Sequence, residues 1–362
     1  MKILFITSSS INGGAQKHIR DMFLSLTKMG QELFRAAPEG WLLDELSTYK
    51  EKIFPLPSLR KSKKLLETIM DDIQPDITNT FILSGGMIGS LAWKKERYGK
   101  LFVTVNNPVL YDGVSFAGEV LFPLFYKWMS RYASAFLVKS DTVRDEVKEV
   151  IKGKKPVLSI KNGIDFKKFD KNATYNDIRK NLGIKESEIV ITNVAVLNER
   201  KGQQYLIEAV VNLRKKYAVH LFLAGEGPFR ENLEDCVTKN NASDYVHFLG
   251  RRSDVNVVLA NSDIFVLPSN HEGLPNSLME AMAMGLPCVA TDVGGVRQLI
   301  TDSDKGTVVS PKSSSEIATA ISNYLDHPEL MKDVGEKAYF SMRKNYEQQG
   351  VAEELISIYN KF

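Results

Sequence analysis

Short apolar runs alternate with longer amphipathic stretches along this whole chain, and that alternation limits the folds open to it. In the first half the runs are KILFIT (2–7), LFRAA (33–37), LFVTV (101–105), AFLVK (135–139) and PVLSI (156–160). In the second they are IVITNVAV (189–196), VHLFLAG (219–225), DIFVLPS (263–269) and PCVATD (287–292). Between them lie stretches such as QQYLIEAVVNLRKKY (203–217), apolar at helical spacing. Strands that alternate with helices, and are apolar on both faces, predict parallel sheets covered on both sides. With right-handed crossovers, each half becomes a doubly wound, Rossmann-like α/β unit.

A length of 362 residues suits two such units better than one core. The turn-rich segment SIKNGIDFKKFD (159–170) predicts the boundary, with an amino-terminal domain over 1–165 and a carboxyl-terminal domain over 166–345. The last helical stretch, QQGVAEELISIYNKF (348–362), has no strand of its own, and periodicity leaves open which domain it joins. The first four apolar residues of MKILFIT are too few for a signal-peptide core and suit a buried strand. No apolar run is long enough to span a bilayer. Two cysteines, Cys236 and Cys288, suggest no disulfide framework, so a cytoplasmic location is expected.

Residues 1–165 carry 24 Lys and Arg against 18 Asp and Glu, whereas the remainder carries 23 against 26. The first half is therefore the one more suited to an anionic partner, but it lacks the basic stripe of a nucleic-acid binder. The five histidines show no metal-ligand spacing, so no metal site is expected.

In open parallel sheets, ligands bind outside the carboxyl ends of the strands. The segments leaving those ends here are SSSINGGAQ (8–16), LNERKGQQ (197–204), GEGPFRE (225–231) and VGGVRQ (293–298), together with HEGLPNSLMEAMAMG (271–285). The last of these begins a short helix, whose positive dipole end favours an anion, yet it brings Glu272 and Glu280 to the same place. Glu280 has a plain reading, since Ser277-Leu278-Met279-Glu280 fits an S-x-x-E capping box, and Glu272 could be a solvated loop carboxylate. A sugar nucleotide gives a second reading. Its diphosphate would take the amides of Gly273, Leu274, Pro275, Asn276 and Ser277 (the proline supplying none), while its flanking polyols would donate hydroxyl hydrogen bonds to the carboxylates. Lys201, with Arg200 beside it, is the candidate cation for the diphosphate.

These residues resemble the retaining glycosyltransferases of family 4, which have the GT-B fold: two Rossmann-like domains facing each other across a cleft. The resemblance rests on FVLPSNHEGLPNSLMEAMAMGLPCVATDVGG (265–295), with seven residues between its two glutamates, and on GGAQ (13–16), KNGID (161–165), LNERKG (197–202), AGEGPFRENLE (224–234) and VHFLGRRSDV (246–255). It implies that Glu280 holds the donor ribose, that Glu272 meets the transferring sugar, and that Lys201 contacts the diphosphate near the amides of Leu274 and Asn276. It implies further that Gly13 and Gly14 approach the phosphates from the other domain, and that residues around Gly225, Gly250 and Arg251 face the base. The final helix (346–362) would cross back onto the amino-terminal domain.

The implied reaction moves a hexose or N-acetylhexosamine from a nucleotide-diphosphate sugar, a UDP-sugar foremost, to a saccharide or lipid-linked acceptor of cell-surface polysaccharide or glycolipid synthesis. It needs no cofactor and no metal. The chain departs from the family where Val196 stands in place of a usual arginine and where Asn106, followed by Asn107, stands in place of a common donor-contacting histidine. Asn106 can exchange hydrogen bonds but carries no proton at neutral pH. Gln31 also replaces a common histidine. A sugar-nucleotide epimerase of the same fold and a non-catalytic partner subunit are the alternatives.

Elsewhere, EVLFPLFYKWMSRY (119–132) reads as a helix packed on the first sheet or as a membrane-interface segment. The cluster RKSKK (60–64) and the lysines of KGKK (152–155) read as solvated surface, or as contacts to anionic lipid or a phosphorylated acceptor.

Overall fold

The computed structural model describes residues 1–11, 13–57, 59–95, 97–106, 109 and 116–362. The chain forms two compact units, Met1–Gly163 with Gln348–Phe362, and Ile164–Glu347. The division falls two residues earlier than the turn-rich segment predicts and returns two residues later. Ile164 pairs with Glu347 as an isolated bridge and donates its amide to the Tyr346 carbonyl at 2.7 Å, which draws both connecting segments into the second unit.

The first unit runs β1 (Lys2–Thr7), α1 (Gly14–Lys28), β2 (Glu32–Ala37), α2 (Trp41–Asp44), a 3-10 turn (Ser47–Lys52), β3 (Ile53–Pro55), α3 (Leu59–Ile73), β4 (Ile77–Phe81), α4 (Leu83–Ala92), β5 (Lys100–Val105), α5 (Phe116–Met129), β6 (Ala135–Val138), α6 (Asp141–Val150) and β7 (Val157–Ser159). Among the described residues, its seven parallel strands take the order β3-β2-β1-β4-β5-β6-β7, so the winding reverses between β1 and β4. Ile19, Met22, Phe23 and Leu26 of α1 pack with Ile3, Phe5, Phe102 and Leu137 on one face. Leu66, Ile69 and Met70 of α3 pack with Leu4 and Ile6 on the other.

The second unit runs α7 (Ile178–Asn181), β8 (Ile189–Val194), a 3-10 turn (Glu199–Lys201), α8 (Gln203–Leu213), β9 (Val219–Ala224), α9 (Arg230–Lys239), β10 (Val246–Gly250), α10 (Val255–Ala260), β11 (Ile264–Leu267), α11 (Asn276–Ala283), β12 (Cys288–Thr291), α12 (Val296–Leu299), β13 (Thr307–Val309), α13 (Ser314–Asp326) and α14 (Pro328–Asn345). Its six parallel strands follow β10-β9-β8-β11-β12-β13 and reverse between β8 and β11. Buried Val, Ile and Leu on both sheet faces supply most of the stabilisation, at about 25 cal/mol per Å² of apolar surface removed from water.

The last helix, α15 (Gln348–Asn360), belongs to the first unit. Val351, Leu355 and Ile358 join the α1-side core, and the buried Tyr359 packs at a tilt against Phe102 with ring centroids 4.9 Å apart. Asn79 Nδ2 donates to the Tyr359 hydroxyl at 2.7 Å, and Thr104 Oγ1 donates to Asn79 Oδ1 at 2.8 Å.

Candidate active site

The two points where strand order reverses are where such sheets open a crevice for ligands at their carboxyl ends. In the second unit the segments leaving β8 and β11 meet there. Asn198 caps the 3-10 turn by accepting the Lys201 amide at 3.2 Å, and the Asn270 amide donates to the Arg200 carbonyl at 2.7 Å. Gly202 closes the turn at φ +62°, where a Cβ would stand 2.1 Å from the Pro268 carbonyl oxygen. Only glycine fits that turn, which delivers the two preceding side chains to the crevice.

Lys201 Nζ donates to Glu272 Oε1 at 2.7 Å, and Ser269 Oγ donates to the same oxygen at 2.6 Å. The Glu272 side chain is 9% exposed and that of Lys201 23%. The carboxylate is therefore fixed in place before any ligand arrives. Its backbone is fixed from the other side by Gly294, at φ +53°, whose Cβ would lie 2.1 Å from the Glu272 carbonyl oxygen. The Gly295 amide donates to the Gly273 carbonyl at 2.6 Å.

After Gly273 and Leu274 the chain enters α11 through Pro275, and no side chain caps the helix. The capping-box reading of Ser277 and Glu280 is thereby corrected: Ser277 lies inside the first turn, one residue past Asn276, where its hydroxyl cannot act as an N-cap. Glu280, half-buried, stands one turn further along the same helix. The helix's positive end is left facing the crevice beside a carboxylate that already has a cation.

Arg200 is exposed and forms no ion pair among the described residues, so it is the open cation of the pair. Val196, two residues past β8, is 55% exposed, an apolar side chain held at the site edge. Gly225 donates its amide to the Gly250 carbonyl at 2.8 Å, which places the segments after β9 and β10 side by side, with Arg251 exposed next to them. Asn270 Oδ1 and His271 Nε2 are buried polar atoms without a hydrogen-bond partner among the described residues. Unpaired buried groups of this kind are costly and are concentrated at functional sites.

The first unit has a ligand edge of its own. Gly13 precedes α1 in extended backbone and Gly14 is its first residue, again with no side-chain cap. Ser8, after β1, meets Ser84 of α4 with 2.5 Å between hydroxyls. Gly85 brings α4 so close that a Cβ would lie 3.2 Å from the Thr7 Cα. Ile82, between β4 and α4, holds φ +67° and ψ 150°, a backbone conformation costing on the order of 1–3 kcal/mol for such a residue. Sequence reasoning missed this segment, although SGG at 84–86 was the available signal. Asn106 follows β5, and its Oδ1 is buried without a hydrogen-bond partner among the described residues; Asn107 lies outside the described residues. No group of His, Cys, Asp and Glu among the described residues is arranged to hold a metal, and no described helix is long and apolar enough to cross a membrane.

Residues 174–340, nearly all of the second unit, match the family described as glycosyl transferases group 1. The chain is 32% identical over 247 residues to an alpha-D-kanosaminyltransferase from Streptomyces kanamyceticus, a match covering 65% of this chain and 63% of that protein. It is 27% identical over 305 residues to the putative glycosyltransferase EpsD of Bacillus subtilis, covering 82% and 79%. Among solved structures, Anabaena HepE in complex with UDP superposes with a TM-score of 0.86 over 100% of both chains at 19% identity. That likeness shows the fold to be GT-B.

Proposed function

We propose that this chain is a retaining, family 4-type glycosyltransferase that moves a hexose or N-acetylhexosamine from a nucleotide-diphosphate sugar to a saccharide or lipid-linked acceptor. The observation that carries the reading is the Lys201–Glu272 pair at the second switch point, beside the uncapped end of α11. An anion site with an already neutralised carboxylate next to it suits a diphosphate joined to a polyol. A UDP-sugar is the foremost donor, in keeping with the nucleotide bound by HepE.

In this reading the diphosphate lies against the first turn of α11, Gly273 to Ser277, and Arg200 supplies the charge that Lys201 shares with Glu272. Glu280 accepts the ribose hydroxyls, and Glu272 accepts a hydroxyl of the transferring sugar. The bond from the anomeric carbon to the phosphate oxygen breaks, and the diphosphate leaves with the electron pair. The acceptor oxygen bonds to the same face of the sugar, and its proton passes to the departing phosphate. Stabilisation of developing phosphate charge would supply most of the acceleration. Arg200, Lys201 and the α11 dipole are the cationic set for this step, which therefore calls on no metal or cofactor. Gly13, Gly14 and Asn106 line the ligand edge of the first unit's own sheet, and Gly225, Gly250 and Arg251 the base subsite of the second.

Val120, Leu121 and Leu124 of α5 are about half exposed beside Lys127. They fit a cytoplasmic enzyme resting peripherally on the inner face of a membrane, in cell-surface polysaccharide or glycolipid synthesis. Val196 favours one second reading, a partner subunit that binds nucleotide without turnover.

The test is a panel of UDP, GDP, ADP, CMP and their sugar conjugates, read by thermal unfolding and by release of nucleoside diphosphate. One nucleotide should stabilise the wild type, by about 2.7 kcal/mol at 100 times its dissociation constant, and Glu280→Ala should lose the effect. Stabilisation without product, rescued by another subunit, would move the assignment to the partner reading. No response to any nucleotide would end both.

A further inference from the structure

The first unit buries basic side chains that no carboxylate among the described residues neutralises. His18, in the second turn of α1, and Lys139, the residue after β6, are each 5% exposed, and Lys139 Nζ lies 2.6 Å from His18 Nε2. That is the ammonium's only polar contact among the described residues. Burial holds the lysine well below its usual range, and burial followed by the neighbouring lysine does the same to the histidine. The alternation that points Leu137 into the α1-side core puts Lys139 on that face too. The β5–β6 register pairs Val105 with Val138, so the next pair in line is Asn106 with Lys139. The Asn106 side-chain oxygen is buried and has no hydrogen-bond partner among the described residues.

Two bases in contact inside a protein, with no counter-charge, cost folding free energy that a hydrophobic pair of the same size would not. Such a liability at the ligand edge of a sheet is what a binding site looks like before its ligand arrives. We propose that His18 and Lys139 form an oxyanion receptor in the first unit, taking a phosphate or carboxylate group carried by the acceptor. The carbonyl of Asn106 accepts a hydroxyl of the same molecule. The proposal rests on the glycosyl-transfer reading for the word acceptor, but the binding site itself does not.

The test uses the full chain in chloride buffer at fixed ionic strength. Thermal unfolding is followed against inorganic phosphate, acetate and, in detergent, a phosphate-terminated lipid. At least one anion should raise the wild-type midpoint by about 2–5 °C. Lys139→Met should melt above the wild type without anion and lose the increment, while keeping the stabilisation by nucleotide, which reports the second unit. If Lys139→Met does not fold, His18→Asn must lose the increment. A response to phosphate or acetate assigns a soluble acceptor, and a response to the lipid alone a lipid-borne one. An equal increment in wild type and variants, or none in the wild type, would overturn the proposal. Loss of the nucleotide response in the wild type would instead count against glycosyl transfer.

Discussion

Lys201 and Glu272 are 71 residues apart in sequence and 2.7 Å apart in space, one from each strand segment at the second switch point. A cation and a carboxylate that were candidates for separate parts of a ligand are first of all partners of each other. Lys201→Met should destabilise the protein by about 1–3 kcal/mol, because Glu272 would stay mostly buried with Ser269 alone. The Lys201→Met, Glu272→Gln double variant should lose less than the sum of the single losses. Urea unfolding of the four proteins checks this, and additive losses would show that the pair is not coupled.

Ser277→Ala separates a helix cap from a ligand contact. Since Pro275 occupies the N-cap position, the change should alter stability by less than about 0.5 kcal/mol, where loss of a true cap costs about 1 kcal/mol. A fall of a full kcal/mol in chemical denaturation would restore the capping box.

Gly294→Ala should be among the most damaging single-methyl additions in the second unit. It places a side chain at φ +53° and against the Glu272 carbonyl, so a loss of about 2–4 kcal/mol is expected. Nucleotide affinity should fall with it, because Glu272 rides on the displaced segment; calorimetric titration with the responding nucleotide measures both.

His220 and His247 stack in the second unit, with His220 Nδ1 3.1 Å from His247 Nε2 and His220 Nε2 3.6 Å from Glu188. Burial lowers the pKa of both histidines, aided for His220 by Arg214 and Arg179 against the opposing pull of Glu188, and for His247 by His220. Groups depressed by folding contribute stability above their unfolded pKa of about 6.5 and lose it as pH falls through the folded values. The melting midpoint should therefore drop as the pH falls below about 6.5, and His247→Phe should shrink the drop. A flat profile for the wild type would sink this account.

Much of the fold was legible because most strands are apolar runs bounded by turn residues. β4 was not: Thr78, Asn79 and Thr80 look like loop residues, yet all are buried. Thr80 donates to the Phe102 carbonyl, and Asn79 is satisfied by Thr104 and by Tyr359, which lies 280 residues away. Local pattern cannot supply partners at such a distance. β3 and β13, three residues each, are too short to show a period. At the site, the glycines and the cation–carboxylate inventory could be read, because close backbone approaches demand those residue types. The pairing of Lys201 with Glu272 and of His18 with Lys139 could not, since a sequence states which charges exist and not which ones meet.

The return of α15 to the first unit has a consequence for the order in which the protein can be made. Ile164 and Glu347 are bridged, and Gly163 lies so close to Gln348 that a Cβ would stand 2.7 Å from its Cα. The second unit is thus a continuous guest whose two ends meet, inserted into a host that is split. On the ribosome the guest can close as soon as it emerges. The host must wait, with Asn79 and Phe102 lacking Tyr359, until the guest has been synthesised and α15 follows it out. Maturation of the host is timed by the guest, and a chain stalled after residue 347 would carry a finished second unit on an open first core.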